Sequence, residues 1–418
     1  MRISRKVFCP SLVAVFLLGS IVLAVPQASR SEAPIKIGII DSYTGSTALI
    51  TRNALYGWEL AVEEFNAKGG LNGRKVEIIT RDDKFKADEA LAHARELVLK
   101  ENVDFLGGMF NSAAVLGVSE FVRTKKKLYM VHLAYSHRIT GEMGHRYIFR
   151  SCQSSEVFGR ANGYFAGTKP FKNWYIIGDD YEYGHSVADN FLKGLKKRNP
   201  GAVVIGEGWP KVGETDYTPY LSSMMAKKPD AVYGAWGGSA IIPFTKQAKM
   251  FGLFEKIPYF SSFLADSIFP RVLKESYPVG VYSGCNYLWY HPANQANKDF
   301  VKKYLEYTTK KGNPEPYVSE SAFTGYTGAK LLLEAILKAK TTKTEDVINA
   351  LEGLTVQSAS GPVTMRACDH QVMSPVFMGE IANLPGYPFP VMKDIFAAPV
   401  DEVVPSCEEV AEARKGRK

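Results

Sequence analysis

Apolar residues follow two periods along this chain, and the two alternate. Short apolar runs at 35–40, 76–79, 103–106 and 128–131 predict buried strands. Between them, 55–67, 87–100 and 111–122 carry apolar residues at helical spacing. Leu55, Leu60, Ala61 and Phe65 share one face of the first helix, and Ala90, Ala94, Leu97 and Val98 one face of the second. Gly69, Gly70, Asn72 and Gly73 close the first helix. An extended run at 147–152 follows, and the alternation then starts afresh. Strands are predicted at 174–177, 203–205, 231–233, 258–260 and 279–285, with helices at 156–166, 187–195, 217–226 and 241–250. Two sets of βαβ units predict an α/β protein of two doubly wound, Rossmann-like lobes with parallel sheets. Helices at 294–307, 319–338 and 344–351 come next, and the stretch 363–392 is rich in strands and turns. Such helices cannot cover their own apolar faces, so they are expected to pack back on the first lobe.

One stretch, 104–114, combines these signals. A strand ends at Gly107 and Gly108, and Asn111 or Ser112 opens a helix carrying Ala114, Val115, Val118, Phe121 and Val122 on one side. The first N–H groups of a helix lack internal partners and carry the positive end of its dipole. The corner can therefore hold a ligand carboxylate, or Asn111 and Ser112 can simply cap their own helix. The loops after the strands lie at the carboxyl edge of the sheet, where doubly wound folds place ligands.

The ends change the picture. Arg2, Arg5 and Lys6 precede an apolar run at 12–25 and then small residues, the pattern of a secretory signal peptide over 1–28 with cleavage between 28 and 33. The formal charge of +8 is concentrated at the two ends, where Arg414, Lys415, Arg417 and Lys418 form a basic tail at 401–418. The body is nearly balanced and has no basic stripe with interleaved aromatics, so nucleic acid is not an expected partner. Beyond the signal remain Cys152, Cys285, Cys368 and Cys407, an even number in an exported chain, with no C-x-x-C spacing for a metal knuckle. Four cysteines allow three pairings.

Five stretches together resemble the branched-chain amino-acid-binding proteins of ABC importers, which have the type I periplasmic binding protein fold. They are 37–45 with its glycine turn; Gly57, Leu60 and Ala61 with Gly69, Gly70, Asn72 and Gly73; Asp82 and Asp83 with the helix after them; Leu106, Gly107, Asn111 and Ser112; and Asp179 to Gly184. The resemblance implies two lobes joined by a multi-strand hinge, with 34–150 and 286–362 in the first and 151–285 and 363–400 in the second. It implies a small-molecule ligand in the interlobe cleft, a membrane ABC permease as partner, a periplasmic location and a monomer. A ligand sensor of the same fold, docking on a receptor, is the alternative. Carried onto this sequence, the ligand set is Asn111 and Ser112 for a carboxylate, Leu133, Ala134 and Tyr135 after the fourth strand, and Tyr183 and Trp236 from the second lobe.

Two departures follow. The acid that amino-acid binders place for the ligand ammonium falls near Phe263, with Asp266 three residues on, and His132 to Ser136 replaces a serine- and proline-containing pattern. An ammonium needs a carboxylate to offset its desolvation, and only Asp266, Asp41 or Asp180 could supply one. Tyr43, Phe110, Tyr135, Tyr183, Trp236 and Phe263 are expected to border the cleft, which suits a flat or apolar ligand body. The hinge reading also places Cys152 and Cys285 at lobe crossings, where they could pair, leaving Cys368 and Cys407 to tie down the tail. The sequence lacks a G-x-S-x-G elbow, H-E-x-x-H, P-loop and G-x-G-x-x-G. Binding without turnover is expected, with no cofactor and no metal.

Overall fold

The computed structural model describes residues 33–415, together with Met1, Ile3, Ser4 and residues 6–9. The expected signal peptide lies mostly outside the described residues. No helix among the described residues is long and apolar enough to cross a membrane.

The first sheet has five parallel strands, β1 (Ile35–Asp41), β2 (Val76–Asp82), β3 (Phe105–Gly108), β4 (Tyr129–Val131) and β5 (Ile148–Arg150), in the order β2-β1-β3-β4-β5. Asp41 pairs with Asp82, and Gly108 with both Ile40 and Val131. That register lines up the ends of the first four strands, so the loops after them share one edge. The second sheet holds β6 (Asn173–Gly178), β7 (Val203–Gly208), β8 (Ala231–Ala235), β9 (Tyr259–Ser261) and β10 (Tyr282–Cys285). A small antiparallel sheet follows, of β11 (Thr355–Ser358), β12 (Gly361–Met365) and β13 (Val372–Met373). Then β14 (Phe377–Ala382) and β15 (Val391–Ala397) complete the second sheet, in the order β15-β14-β10-β9-β8-β6-β7.

The helices after β10 do return to the first lobe. Helix Glu320–Ala339 lies along helix Ala48–Ala67, and both feed one core with Ile35, Trp58, Leu331 and Ile336. Their backbones touch at two glycines. A Cβ on Gly57 would stand 2.3 Å from the Ala322 carbonyl, and one on Gly325 would stand 2.2 Å from the Ala54 carbonyl. The first helix starts at Ala48, a full two turns before the predicted Leu55, because the turn after β1 feeds straight into it.

One expected boundary moves. The expected division puts 363–373 in the second lobe, yet β12 pairs with β11 and β13 with β12, and Val363, Met365 and Val372 lie in the first core. The chain returns to the second sheet only at β14. Four segments therefore pass between the lobes, near 151–154, at Asn286, at 374–376 and in the tail at 404–406. Buried Arg150 ties two of them together. Its Nε donates to Gln371 Oε1 at 2.6 Å and its Nη1 to the Ser136 carbonyl at 2.6 Å, while Gln371 Nε2 donates to the Cys152 carbonyl at 2.7 Å.

Cys368 and Cys407 form a disulfide with Cα atoms 5.9 Å apart. Cys152 and Cys285 do not pair. Both are buried thiols with separate partners: Cys152 Sγ donates to the Ala134 carbonyl, and Cys285 Sγ donates to the Tyr287 carbonyl and Glu320. The tail spans both lobes. Helix Val400–Val403 packs Val403 into the second-lobe core. Helix Cys407–Lys415 is held by the disulfide and by Arg414, which donates to the carbonyls of Thr140, Gly141 and Cys368.

Candidate functional site

Asp41 organises the sheet edge that carries the site. Trp58 Nε1 donates to His132 Nδ1 at 2.8 Å, which makes Nδ1 the acceptor and leaves Nε2 to donate to Asp41 Oδ2, also at 2.8 Å. Asp41 Oδ1 in turn accepts from the Ser42 and Phe110 amides. All three side chains are fully buried. The network fixes the turn after β3 and with it Phe110. It also removes Asp41 from the candidates for a ligand ammonium.

A small cavity of about 60 Å³ lies where the two lobes meet. The first lobe contributes Ile50, Phe110, Ser112, Leu133 and Tyr135, with Glu320 and Ser321 from the start of a helix. The second contributes Tyr181, Tyr183, Gly237, Gly238, Phe263, Asp266, Ile268 and Phe269. Rings dominate the wall. Phe263 meets Tyr135 edge-on at 5.1 Å and stacks on Phe158 at 4.5 Å, and Tyr183 stands edge-on to Tyr135 at 6.0 Å. No lysine or arginine is among these lining residues.

Of the residues expected at the ligand, Ser112, Leu133, Tyr135, Tyr183, Phe263 and Asp266 line this cavity, and Phe110 joins them. Four others are placed elsewhere. Asn111 is a helix cap: its Oδ1 accepts from the Ala113 and Ala114 amides, and its Nδ2 donates to the Phe85 carbonyl. Ala134 is fully buried, and its carbonyl accepts from Arg150 and Cys152. Tyr43 has a buried hydroxyl outside the cavity, and its amide donates to Asp82. Trp236 is fully buried in the second-lobe core. Its Nε1 donates to Tyr259 Oη at 2.8 Å, and its ring packs on Phe244 at 4.4 Å. Asp180 is half-exposed and paired with His185.

The helix start at 319–321 joins the site without a sequence signal that places it there. Ser319 caps the helix by accepting from the Ala322 amide, a signal legible in the sequence, but nothing local says that this helix end reaches the cleft. Glu320 is buried and accepts from Tyr135 Oη, from the Asn286 amide at 2.7 Å, from Asn286 Nδ2 at 2.8 Å and from Cys285 Sγ at 3.0 Å. Those four donors saturate its carboxylate. Burial pushes its pKa up. Asp266 caps the same helix, its Oδ2 accepting from the Glu320 amide and its Oδ1 from the Ile268 amide. Burial, and then the neighbouring Glu320, push Asp266 up to about 7. Each of its oxygens keeps a free lone pair. Donor atoms of Asp266, Cys285 and Glu320 lie within 4.8 Å of one another, but the Glu320 oxygens are already taken up by N–H, O–H and S–H donors.

The cleft is shut around this cavity. Ser136 Oγ donates to Glu182 Oε1 at 2.6 Å, Arg271 pairs with Glu315 at 2.6 Å, and Ser267 Oγ donates to the Val318 carbonyl at 3.1 Å. The Phe85 and Tyr181 rings meet across the rim at 6.4 Å.

Two α/β lobes closed over a small aromatic-walled cavity and joined by several crossing segments define a solute-binding protein of the two-lobe type. The chain belongs to the periplasmic binding protein family, whose model matches residues 34–384. It is 26% identical over 376 residues to a Leu/Ile/Val-binding protein homolog 8 of Brucella suis biovar 1 (strain 1330), covering 86% of this chain and 89% of that one. It is similar in structure to a solute-binding protein of an ABC transporter from R. palustris in complex with 4-hydroxybenzoate, with a TM-score of 0.78, 22% identity and coverage of 89% and 99%. An ABC-type branched-chain amino acid transporter protein from Rhodopseudomonas palustris CGA009 matches with a TM-score of 0.69, 25% identity and coverage of 88% and 98%.

Proposed function

We propose that this protein is the extracytoplasmic solute-binding component of an ABC importer, and that it captures a small carboxylate-bearing solute with a flat or apolar body. The observation that carries this is the interlobe cavity, walled by Phe110, Tyr135, Tyr183 and Phe263 with Ser112 at a helix N-terminus. Ser112 Oγ accepts from the Ser136 amide at 3.3 Å, so its own hydrogen is left to donate to a carboxylate. Asn111 already satisfies the next two amides, so the corner offers one hydroxyl and the residual dipole rather than a full nest. The rings take the body, and the free lone pairs of Asp266 take a hydroxyl or amine at the far end. The R. palustris relative in complex with 4-hydroxybenzoate has ligand groups of this kind. Ligand touches both lobes only when they are closed, so binding favours closure. The closed form would then dock, as a monomer in the periplasm, on a membrane permease.

Isothermal titration of the mature chain against benzoates, hydroxybenzoates and amino acids tests this. Saturable 1:1 binding of an aromatic acid, with the compound recovered unchanged, is the expected result. Tight binding of leucine, isoleucine and valine with none of the aromatic acids would reject the aromatic-wall reading.

A further inference from the structure

The cavity does not end at Phe110 and Tyr181. A second, wider chamber lies beyond them, sharing Phe110, Tyr181 and Gly237 with the first and opening toward solvent. Part of its wall is polar, with Thr44, Ser46 and Thr47 from the turn after β1 and Lys84 and Glu214 at its exposed side, while Phe85, Val212, Ile242 and Pro243 make the rest apolar. Asp179, at the end of β6, is also in this wall and is only 2% exposed. Its Oδ2 accepts from the Gly237 amide at 2.9 Å, while its Oδ1 is buried with no partner.

An acceptor buried without a donor carries its full desolvation cost, and a carboxylate carries more than an amide would. Helix-end or turn chemistry does not account for it, since the single bond to Gly237 could be accepted by an asparagine oxygen. The titratable groups facing Asp179 are the phenols of Tyr181, Tyr217 and Tyr259, which supply no positive charge. We propose that the outer chamber receives a protonated amine, carried on an arm of a solute whose apolar body fills the inner chamber, with Asp179 as its counter-ion. An ammonium supplies both the charge and the donor that Oδ1 lacks. Phe110 and Tyr181 then flank the arm between the chambers. The reading rests on the interlobe cavity being the solute site.

The test is titration of the full mature chain with benzoate, 4-ethylbenzoate and 4-(2-aminoethyl)benzoate. The amine should bind at least about tenfold more tightly than 4-ethylbenzoate, roughly the worth of one charge-assisted hydrogen bond. Asp179→Asn should erase that advantage and leave 4-ethylbenzoate unchanged. Equal affinities in the unaltered protein overturn the proposal, as does loss of the amine's advantage in Asp266→Asn but not in Asp179→Asn. Binding of benzoate alone would also overturn it while leaving the solute site intact. Binding of none of the three counts against the inner site as well. A ligand-free measurement stands beside these. Burial holds Asp179 up at about 7, above the ~3.9 of an unfolded chain. The carboxyl therefore adds stability below about pH 4 that is lost as pH rises through 7. Asp179→Asn should melt several degrees higher at about pH 8 and equally at about pH 4. A lower melting temperature at pH 8 would make Asp179 a structural residue and end the proposal.

Discussion

Ser112 and Asn111 are neighbours with opposite fates. Asn111 spends both ends of its amide on the protein, while Ser112 keeps a hydrogen for whatever enters the cavity. Ser112→Ala should therefore weaken binding of an aromatic carboxylate by about tenfold, the loss of one hydrogen bond to a charged group. Titration at matched pH checks it; an unchanged affinity would move the carboxylate elsewhere in the cavity. Phe263 offers a contrasting test. The family resemblance puts the acid of amino-acid binders near this position, and the Phe263 ring packs between Tyr135 and Phe158. Phe263→Leu removes a flat face but keeps bulk, and it should cost aromatic acids about 1 kcal/mol, the worth of an aromatic pair beyond its area. Aliphatic acids should be little affected. Such roles were half legible in the sequence. The spacing of Asn111 and Ser112 marks a cap and a corner, but which of the two points at ligand depends on the Phe85 loop, 26 residues away. The family resemblance puts Trp236 in the cleft, as the aromatic after a strand. It is a core residue because Tyr259, on the adjacent strand, presents the acceptor its indole needs.

Elements were the most legible level. The order of strands and long helices at 35–131 and 173–261 follows from period, because the apolar runs are bounded by glycine or polar caps. The turn-to-helix start at Ala48 was hidden by the polar residues Thr51 and Asn53, which are buried through tertiary hydrogen bonds rather than by apolar packing. The path of 363–373 was hidden too, since strand partners across a chain reversal have no local mark. The packing of helix Ala48–Ala67 on Glu320–Ala339 rests on Gly57 and Gly325, and nothing local in the sequence marks either as a helix contact. Gly325→Ala would push a methyl into the Ala54 carbonyl and should destabilise the protein by about 2 kcal/mol. Chemical denaturation would read this as a lower midpoint at unchanged slope. The same substitution at Gly117, which has open space around it, should be neutral or stabilising, as helical Gly→Ala usually is.

At the scale of the whole molecule, closure and the tail are the two variables. Arg271 and Glu315 pair between the lobes at 2.6 Å while partly exposed. Arg271→Ala should favour opening by roughly 1 kcal/mol, seen as about fivefold weaker ligand binding and a larger radius of gyration in small-angle scattering. A smaller radius in the variant would contradict that role. The disulfide closes a loop of 39 residues in sequence separation, worth up to about 4 kcal/mol on the chain-entropy account. Cys407→Ser should therefore expose helix Cys407–Lys415 to rapid hydrogen exchange while the sheets stay protected. Uniform loss of protection would mean that the tail holds the whole fold together.

From Ala33 onward, none of the four cysteines offers an exposed free thiol: two are bridged and two are buried in the hinge region. A thiol-reactive dye offered to a chain beginning at Ala33 would find no exposed thiol to label. One cysteine placed at the cleft rim, for instance at half-exposed Val212, would then be the single attachment point. A fluorophore there sits beside the chamber mouth, where closing lobes change its surroundings. The pattern of hidden thiols thus makes the protein a ready scaffold for an optical sensor of its own solute, and a means of finding that solute by screening for light rather than for uptake.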